Sequence, residues 1–228
     1  MKLQSLFTPD LPVYSAKFIN GGEKALLTGN RKHFYIYDVA ANKLDRQVIG
    51  GIEQKNLSSV VVSPQEDLLA INSAESGRCH IYSQKTMKIV QSLKLNGSCT
   101  SASFSPDGKY LFTAGDQGDI FQWDLRSTSA TKHQCVSKTN DVGNFHTTAL
   151  EVSPDGKYLA SGSKMGTVNI FELGDSYNLN PTPVKSILNL TTSITDLKFH
   201  PSSKMLALCS KWKKNAVRLV HLPSYSTY

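Results

Sequence analysis

The chain has 228 residues, 39% of them hydrophobic and 19% charged, with 25 basic against 18 acidic groups and a formal net charge of +7. That composition excludes a disordered tail and suits one all-β domain or one or two ordinary ones. No apolar run approaches the roughly 18 residues of a membrane span. The opening MKLQSLFTPD, broken by Gln4 and Ser5, is too short for a signal-peptide core of about 7–15 residues, so the chain is expected to stay inside the cell. Cys79, Cys99, Cys135 and Cys209 form no Cys-x-x-Cys pair; they read as inert, partly buried thiols. A basic excess attracts RNA or acidic proteins, but many proteins carry such a charge with neither partner.

In chain order, a connector containing LFTPD leads to AKFINGGEKALLTG, where Asn20 stands in place of a proline found in every later unit. GNRKHF then forms a hairpin, and FYIYDV (Phe34 to Val39) returns as a strand. VVSPQEDLLAI brings Pro64, SFSPDGKYLFTAGDQGDIFQWDL brings Pro106, EVSPDGKYLASGSKMGTVNIFEL brings Pro154 and LKFHPSSKMLAL brings Pro201. Starting from Asn20, these landmarks are 44, 42, 48 and 47 residues apart, within the periods that mark propellers and solenoids.

The third unit shows what one copy folds into. TSASFS alternates small or polar with apolar residues, the period of a half-buried strand. SPDG then turns the chain: Pro106 presets φ, Asp107 bonds local backbone and Gly108 accepts positive φ. KYLFTAG is a second strand, Asp116 to Gly118 a second turn, and DIFQWDL a third strand burying Ile120 and Trp123. A less regular fourth strand is expected around KHQCVS. Such a sheet is apolar on both faces and covers itself only by stacking on copies around an axis. The predicted fold is an all-β propeller of about five four-stranded blades, one domain over 1–228, with units at roughly 13–50, 57–95, 99–138, 147–190 and 194–228.

The phrase FSPDGKYLFTAG…IFQWDL resembles the WD40 repeat, with Trp123-Asp124 as the WD dipeptide; Tyr37-Asp38, Tyr82-Ser83, Phe171-Glu172 and Val220-His221 stand in its place elsewhere. WD40 repeats also carry a Gly-His pair ahead of the first strand. None occurs here, and His146 is offset by about three residues, so the family's hydrogen-bonded core network is expected to be missing. NPTPVKSILNLTTSITDLKFHPSSKMLAL (Asn180 to Leu208) and NAVRLVHLPSYS (Asn215 to Ser226) are similar to the U3 small nucleolar RNA-associated protein 18 family, a likeness running from about Val13 to the end. That resemblance implies a non-enzymatic, nucleolar scaffold of the small-subunit processome, in the UtpB subcomplex. It would support the early cleavages that lead to 18S ribosomal RNA, beside the U3 small nucleolar ribonucleoprotein and pre-ribosomal RNA.

The family also implies a long N-terminal extension and a roughly seven-bladed ring, so this chain reads as beginning near a third blade and stopping before a final one. A bare blade face of ~500 Å² would forfeit about 12 kcal/mol at ~25 cal/mol/Å², comparable with a typical total stability of ~5–15 kcal/mol. An arc of five is therefore expected to be an incomplete ring: marginal, prone to aggregate at its edges, or completed by something else. A fragment, a truncated gene product and a degenerate copy all fit that expectation.

Two constellations are candidates for contact. KWKKNAVR places Lys211, Lys213, Lys214 and Arg218 around Trp212, the interleaving expected at an RNA backbone or an acidic partner; Arg31 and Lys32 occupy the equivalent hairpin of the first unit. The plain alternative is a solvated hairpin whose lysines discourage edge pairing. Leu6, Phe7 and Asp10 of LFTPD resemble the family's Leu-Phe-x-apolar-Asp motif, which docks on the arch of the nuclear exosome helicase; the alternative is a connector into the first blade. No phosphate loop, nucleophile elbow or metal-ligand spacing is present, so no catalytic residue, cofactor, metal or small-molecule substrate is assigned, and no membrane partner. The rival readings are a WD40 adaptor such as a ubiquitin-ligase substrate receptor and, more remotely, a propeller enzyme. The latter would need polar groups converging in the channel, where only Lys17, Glu151, Asp196 and Lys198 are charged.

Overall fold

The structure, a computed structural model, describes residues 8, 10–29, 31–48, 59–73, 76–126, 135–222 and 224–228. It contains five four-stranded antiparallel sheets, each a simple meander. The first holds β1 (Val13–Ile19), β2 (Lys24–Gly29), β3 (His33–Asp38) and β4 (Lys43–Val48). The second holds β5 (Ser59–Val62), β6 (Leu68–Ser73), β7 (Arg78–Ser83) and β8 (Ile89–Lys94). The third holds β9 (Ser101–Phe104), β10 (Tyr110–Ala114), β11 (Asp119–Asp124) and β12 (Cys135–Asn140). β13 (Thr147–Val152), β14 (Tyr158–Ser163), β15 (Val168–Glu172) and β16 (Lys185–Ile187) make the fourth. β17 (Asp196–Phe199), β18 (Met205–Cys209), β19 (Val217–His221) and β20 (Ser226–Thr227) make the fifth.

The recurring phrase sets the first turn of the third and fourth sheets. In the third, Gly108 takes φ 70°, and the Asp107 carboxylate accepts from the Ser105 hydroxyl at 2.6 Å and from the Lys109 N–H at 3.1 Å. Ser105 Oγ in turn accepts the Tyr110 N–H at 3.0 Å. The fourth sheet repeats this through Ser153, Asp155 and Gly156. The serine before the proline is thus the hub of the turn, holding both the aspartate and the start of the second strand.

Stacking supplies the core. Ile19, Leu26 and Phe34 of the first sheet pack on Val60, Leu69, Ile71 and Tyr82 of the second. Ala70, Cys79 and Ile81 then meet Phe104, Leu111 and Trp123. Phe112 and Ile120 meet Leu150, Leu159 and Phe171, and Ala160, Val168 and Ile170 meet Leu197, Leu206, Leu208 and Val220. Four clusters therefore join five sheets, and among the described residues none joins the fifth to the first: the blades form an open arc of a WD40-type propeller. Its ends are visible as exposure. Val217 is 59% exposed and Leu219 39% exposed on the far face of the fifth sheet, whereas Val168 and Ile170, at the same register in the fourth, are fully buried. On the first sheet Phe18 is 70% exposed, while Leu11 covers Leu27 and Tyr35.

The blades carry a polar network built without the Gly-His pair. Trp123 Nε1 donates to Thr113 Oγ1 at 2.7 Å inside the third blade. At the connector into the fourth blade, the buried Asp141 carboxylate accepts from Asn169 Nδ2 at 2.7 Å, Ser161 Oγ at 2.5 Å and Asn144 Nδ2 at 3.1 Å. Asn169 Oδ1 accepts from Ser186 Oγ at 2.6 Å, so the carboxylate ties the connector to β14 and β15 directly and to β16 through Asn169. The Gly-His route is replaced by an aspartate that the motif does not mark. Burial, opposed by these donors, raises the Asp141 carboxyl above its ordinary value.

Threonines add a clasp between blades. The Thr100 hydroxyl is shared between the Ala114 carbonyl of its own blade at 3.2 Å and the Thr147 carbonyl of the next at 2.5 Å. Thr148 does the same with the carbonyls of Gly162 at 3.2 Å and Ile194 at 2.6 Å. Thr195 keeps the bond within its blade, to the Cys209 carbonyl at 3.2 Å, and accepts the Lys211 N–H at 3.2 Å.

Candidate interaction surface

The meander order puts all proline turns at one rim. The hairpins between second and third strands, and the connectors into each next blade, lie at the other. The first strands of all five sheets line a central channel of about 470 Å³, through residues that include Lys17, Ser101, Glu151, Asp196 and Lys198. The Lys198 ammonium donates to the Glu151 carboxylate. Burial raises the Glu151 carboxyl, and Lys198 opposes the shift. The channel's charges thus largely cancel, and its wall is mostly hydroxyl and aliphatic. Among the described residues no group of three His, Cys, Asp or Glu side chains could hold a metal ion.

Both basic hairpins fall on the rim opposite the proline turns. Trp212 is 67% exposed, with the Lys211 ammonium 5.3 Å from its ring centroid. Lys213 and Lys214 are exposed beside it. Arg218 bends back onto its own hairpin, donating to the carbonyls of Asn215 at 3.3 Å and Val217 at 2.9 Å, so it is less available than the lysines. Arg31 and Lys32 are exposed on the first blade, and Arg31 Nε donates to the Asp10 carbonyl at 3.2 Å. Among the described residues no hydrogen bond or ion pair joins this pair to the Lys211–Lys214 group. The two hairpins share a rim and not a contact.

Leu6 and Phe7 lie outside the described residues, and Asp10 sits in a turn with φ 60°. Two rim residues outside both basic hairpins, Phe145 and Met165, are 82% and 76% exposed. Their signal was their position in a connector and a hairpin, where a large apolar side chain has no strand face to bury.

Comparison with known proteins adds the decisive observation. The profile of the WD domain, G-beta repeat family matches residues 87–124 and 135–172. The chain is 36% identical over 230 aligned residues to the U3 small nucleolar RNA-associated protein 18 homolog of Mus musculus, an alignment covering 100% of this chain and 41% of that protein. The chain belongs to the U3 small nucleolar RNA-associated protein 18 family. Identity is 35% to the Homo sapiens homolog and 36% to that of Arabidopsis thaliana, again over 100% of this chain. The chain spans about two fifths of the length of these family members, 40% of the human protein and 41% of the Arabidopsis one. The matched region is the five-blade arc, so the family's shared vocabulary is here a vocabulary of blades, turns and rims.

Proposed function

We infer that this chain serves as a non-enzymatic WD40 scaffold of the small-subunit processome in the nucleolus. In that role it supports the processing of pre-18S ribosomal RNA alongside the U3 small nucleolar ribonucleoprotein and UtpB proteins. The observation that carries the reading is similarity along the whole chain to relatives named for their association with U3 small nucleolar RNA. The structure adds physical support: rigid stacked blades hold rims and edges at fixed orientation, and in the channel Glu151 is paired with Lys198. Lys211, Trp212, Lys213 and Lys214, with Arg218, Arg31 and Lys32 as further cations, are the residues proposed to meet RNA or an acidic partner. Leu6, Phe7 and Asp10 stand as the proposed helicase-docking segment, to which Asp10 brings an exposed side chain.

The test is affinity purification of the tagged chain from cells, followed by mass spectrometry and quantification of U3 small nucleolar RNA. Co-isolation of U3 RNA and processome proteins is the expected result. Recovery of cullin-type ligase subunits without U3 RNA would replace the reading with that of a ubiquitin-ligase adaptor.

A further inference from the structure

The rim over the fourth and fifth blades carries more than lysines. Five large apolar side chains stand in solvent there: Phe145 at 82% exposure, Met165 at 76%, Leu188 at 70%, Trp212 at 67% and Val142 at 64%. They lie on four successive segments: 141–146 leading into β13, 164–167 between β14 and β15, 188–195 leading into β17, and 210–216 between β18 and β19. Contacts knit these segments into one surface. The Lys164 N–H donates to the His146 carbonyl at 2.9 Å. Gly166 lies so close to the third segment that a Cβ there would stand 2.4 Å from the Leu190 carbonyl oxygen. Thr192 Oγ1 donates to Ser210 Oγ at 2.8 Å, and Ser210 Oγ accepts the Trp212 N–H at 3.4 Å.

Within these four segments the exposed charge has one sign. Lys164, Lys211, Lys213 and Lys214 are exposed between the apolar side chains. The single acidic residue in the four segments is Asp141, which is 2% exposed and bonded inward. Scattered exposed apolar residues are ordinary, whereas a contiguous set rimmed by one charge marks an interaction site.

We propose that this rim binds an acidic peptide segment bearing large apolar side chains, with Phe145, Met165 and Trp212 holding its apolar anchors and the four lysines facing its carboxylates. Single-stranded RNA fits less well. Base stacking needs a series of open aromatic faces; Met165 and Leu188 offer none, and the Lys211 ammonium stands 5.3 Å from the Trp212 ring centroid, which leaves Phe145 as the one uncovered aromatic in these segments. An acidic, apolar peptide uses both the exposed apolar side chains and the lysines between them. The inference goes beyond the scaffold reading and does not rest on it, because the surface belongs to this chain alone.

Fluorescence anisotropy on the purified full chain tests it with three labelled probes. These are a peptide of about ten residues alternating Glu with Phe, Leu and Trp, an all-Glu peptide of equal length, and an oligouridine of about ten nucleotides. The alternating peptide is expected to bind at least about tenfold tighter than either other probe. Phe145→Ser, Met165→Ser and Trp212→Ala are each expected to weaken it about fivefold or more, with unchanged melting because the side chains are exposed. Phe18→Ser on the first blade leaves binding unchanged. Equal or tighter oligouridine binding would overturn the proposal in favour of RNA. Equal binding of the all-Glu peptide would reduce the rim to a charge effect, and rim variants that bind like the wild type would place the site elsewhere. Loss of U3 association in cells leaves all of these outcomes unaffected, so the two readings fail separately.

Discussion

Ile170 in the fourth blade and Leu219 in the fifth occupy the same place, each one residue before the position of the WD tryptophan. Yet Ile170 is fully buried and Leu219 is 39% exposed. Nothing within either sheet accounts for the difference. The fourth blade has a following neighbour and the fifth does not. The same contrast separates Phe199, 4% exposed, from Phe18, 70% exposed, at matching places in the first strands of the fifth and first blades. At these positions burial is set by the neighbouring blade, so a substitution's cost depends on where its blade stands in the arc.

The sharpest way to break that comparison is to truncate both members. Ile170→Ala should destabilise by about 2–5 kcal/mol, as expected for a large-to-small change in a closed core. Leu219→Ala should cost less than about 1 kcal/mol. Urea denaturation reads both; similar costs would mean that the fifth blade's far face is covered after all.

A second comparison sets the polar heart of the fourth blade against its apolar surroundings. Asp141→Asn places an NH₂ group among three donors and should cost about 1–3 kcal/mol. It also changes the pH dependence. Because burial raises the folded-state carboxyl of Asp141, its contribution to stability is fully present below the ordinary carboxyl value and is lost as pH rises through the raised one. The wild type should lose stability relative to the variant as pH rises across that window. A wild type that instead gains on the variant would mean that the donors outweigh burial.

The smallest effect concerns the clasps. Thr148→Val removes a bond to the next blade as well as one within its own, and should cost about 1 kcal/mol. Thr195→Val removes no bond to a following blade and should cost distinctly less, by thermal melts of both variants in parallel. Equal losses would assign the stabilisation to the bond each threonine makes inside its blade.

Much of this architecture was legible from residues alone. The repeated Pro-Asp-Gly phrase fixed the first turn, the alternating runs fixed the strands, and their two-sided apolarity required stacking. The buried serine hub at Ser105 and Ser153 was not legible, because a serine before proline reads as generic turn chemistry until its bonds are seen. Asp141 was hidden for a related reason: its partners Ser161, Asn169 and Asn144 are scattered in sequence and converge only after folding. On the rim, the lysines around Trp212 announced themselves as a run. Phe145 and Met165 did not, since an isolated apolar residue between strands looks like core until its neighbours are known to leave it bare.

Hydrogen exchange followed by mass spectrometry tests the stacked arc most directly, through peptides covering β14 and β18. Both strands are hydrogen-bonded on each side within their sheets, so sheet pairing alone protects them equally. If stacking confers the stability, β14, covered on both faces, should exchange at least about tenfold more slowly than β18, a gap of roughly 1.4 kcal/mol. Equal protection in the isolated chain would contradict the account.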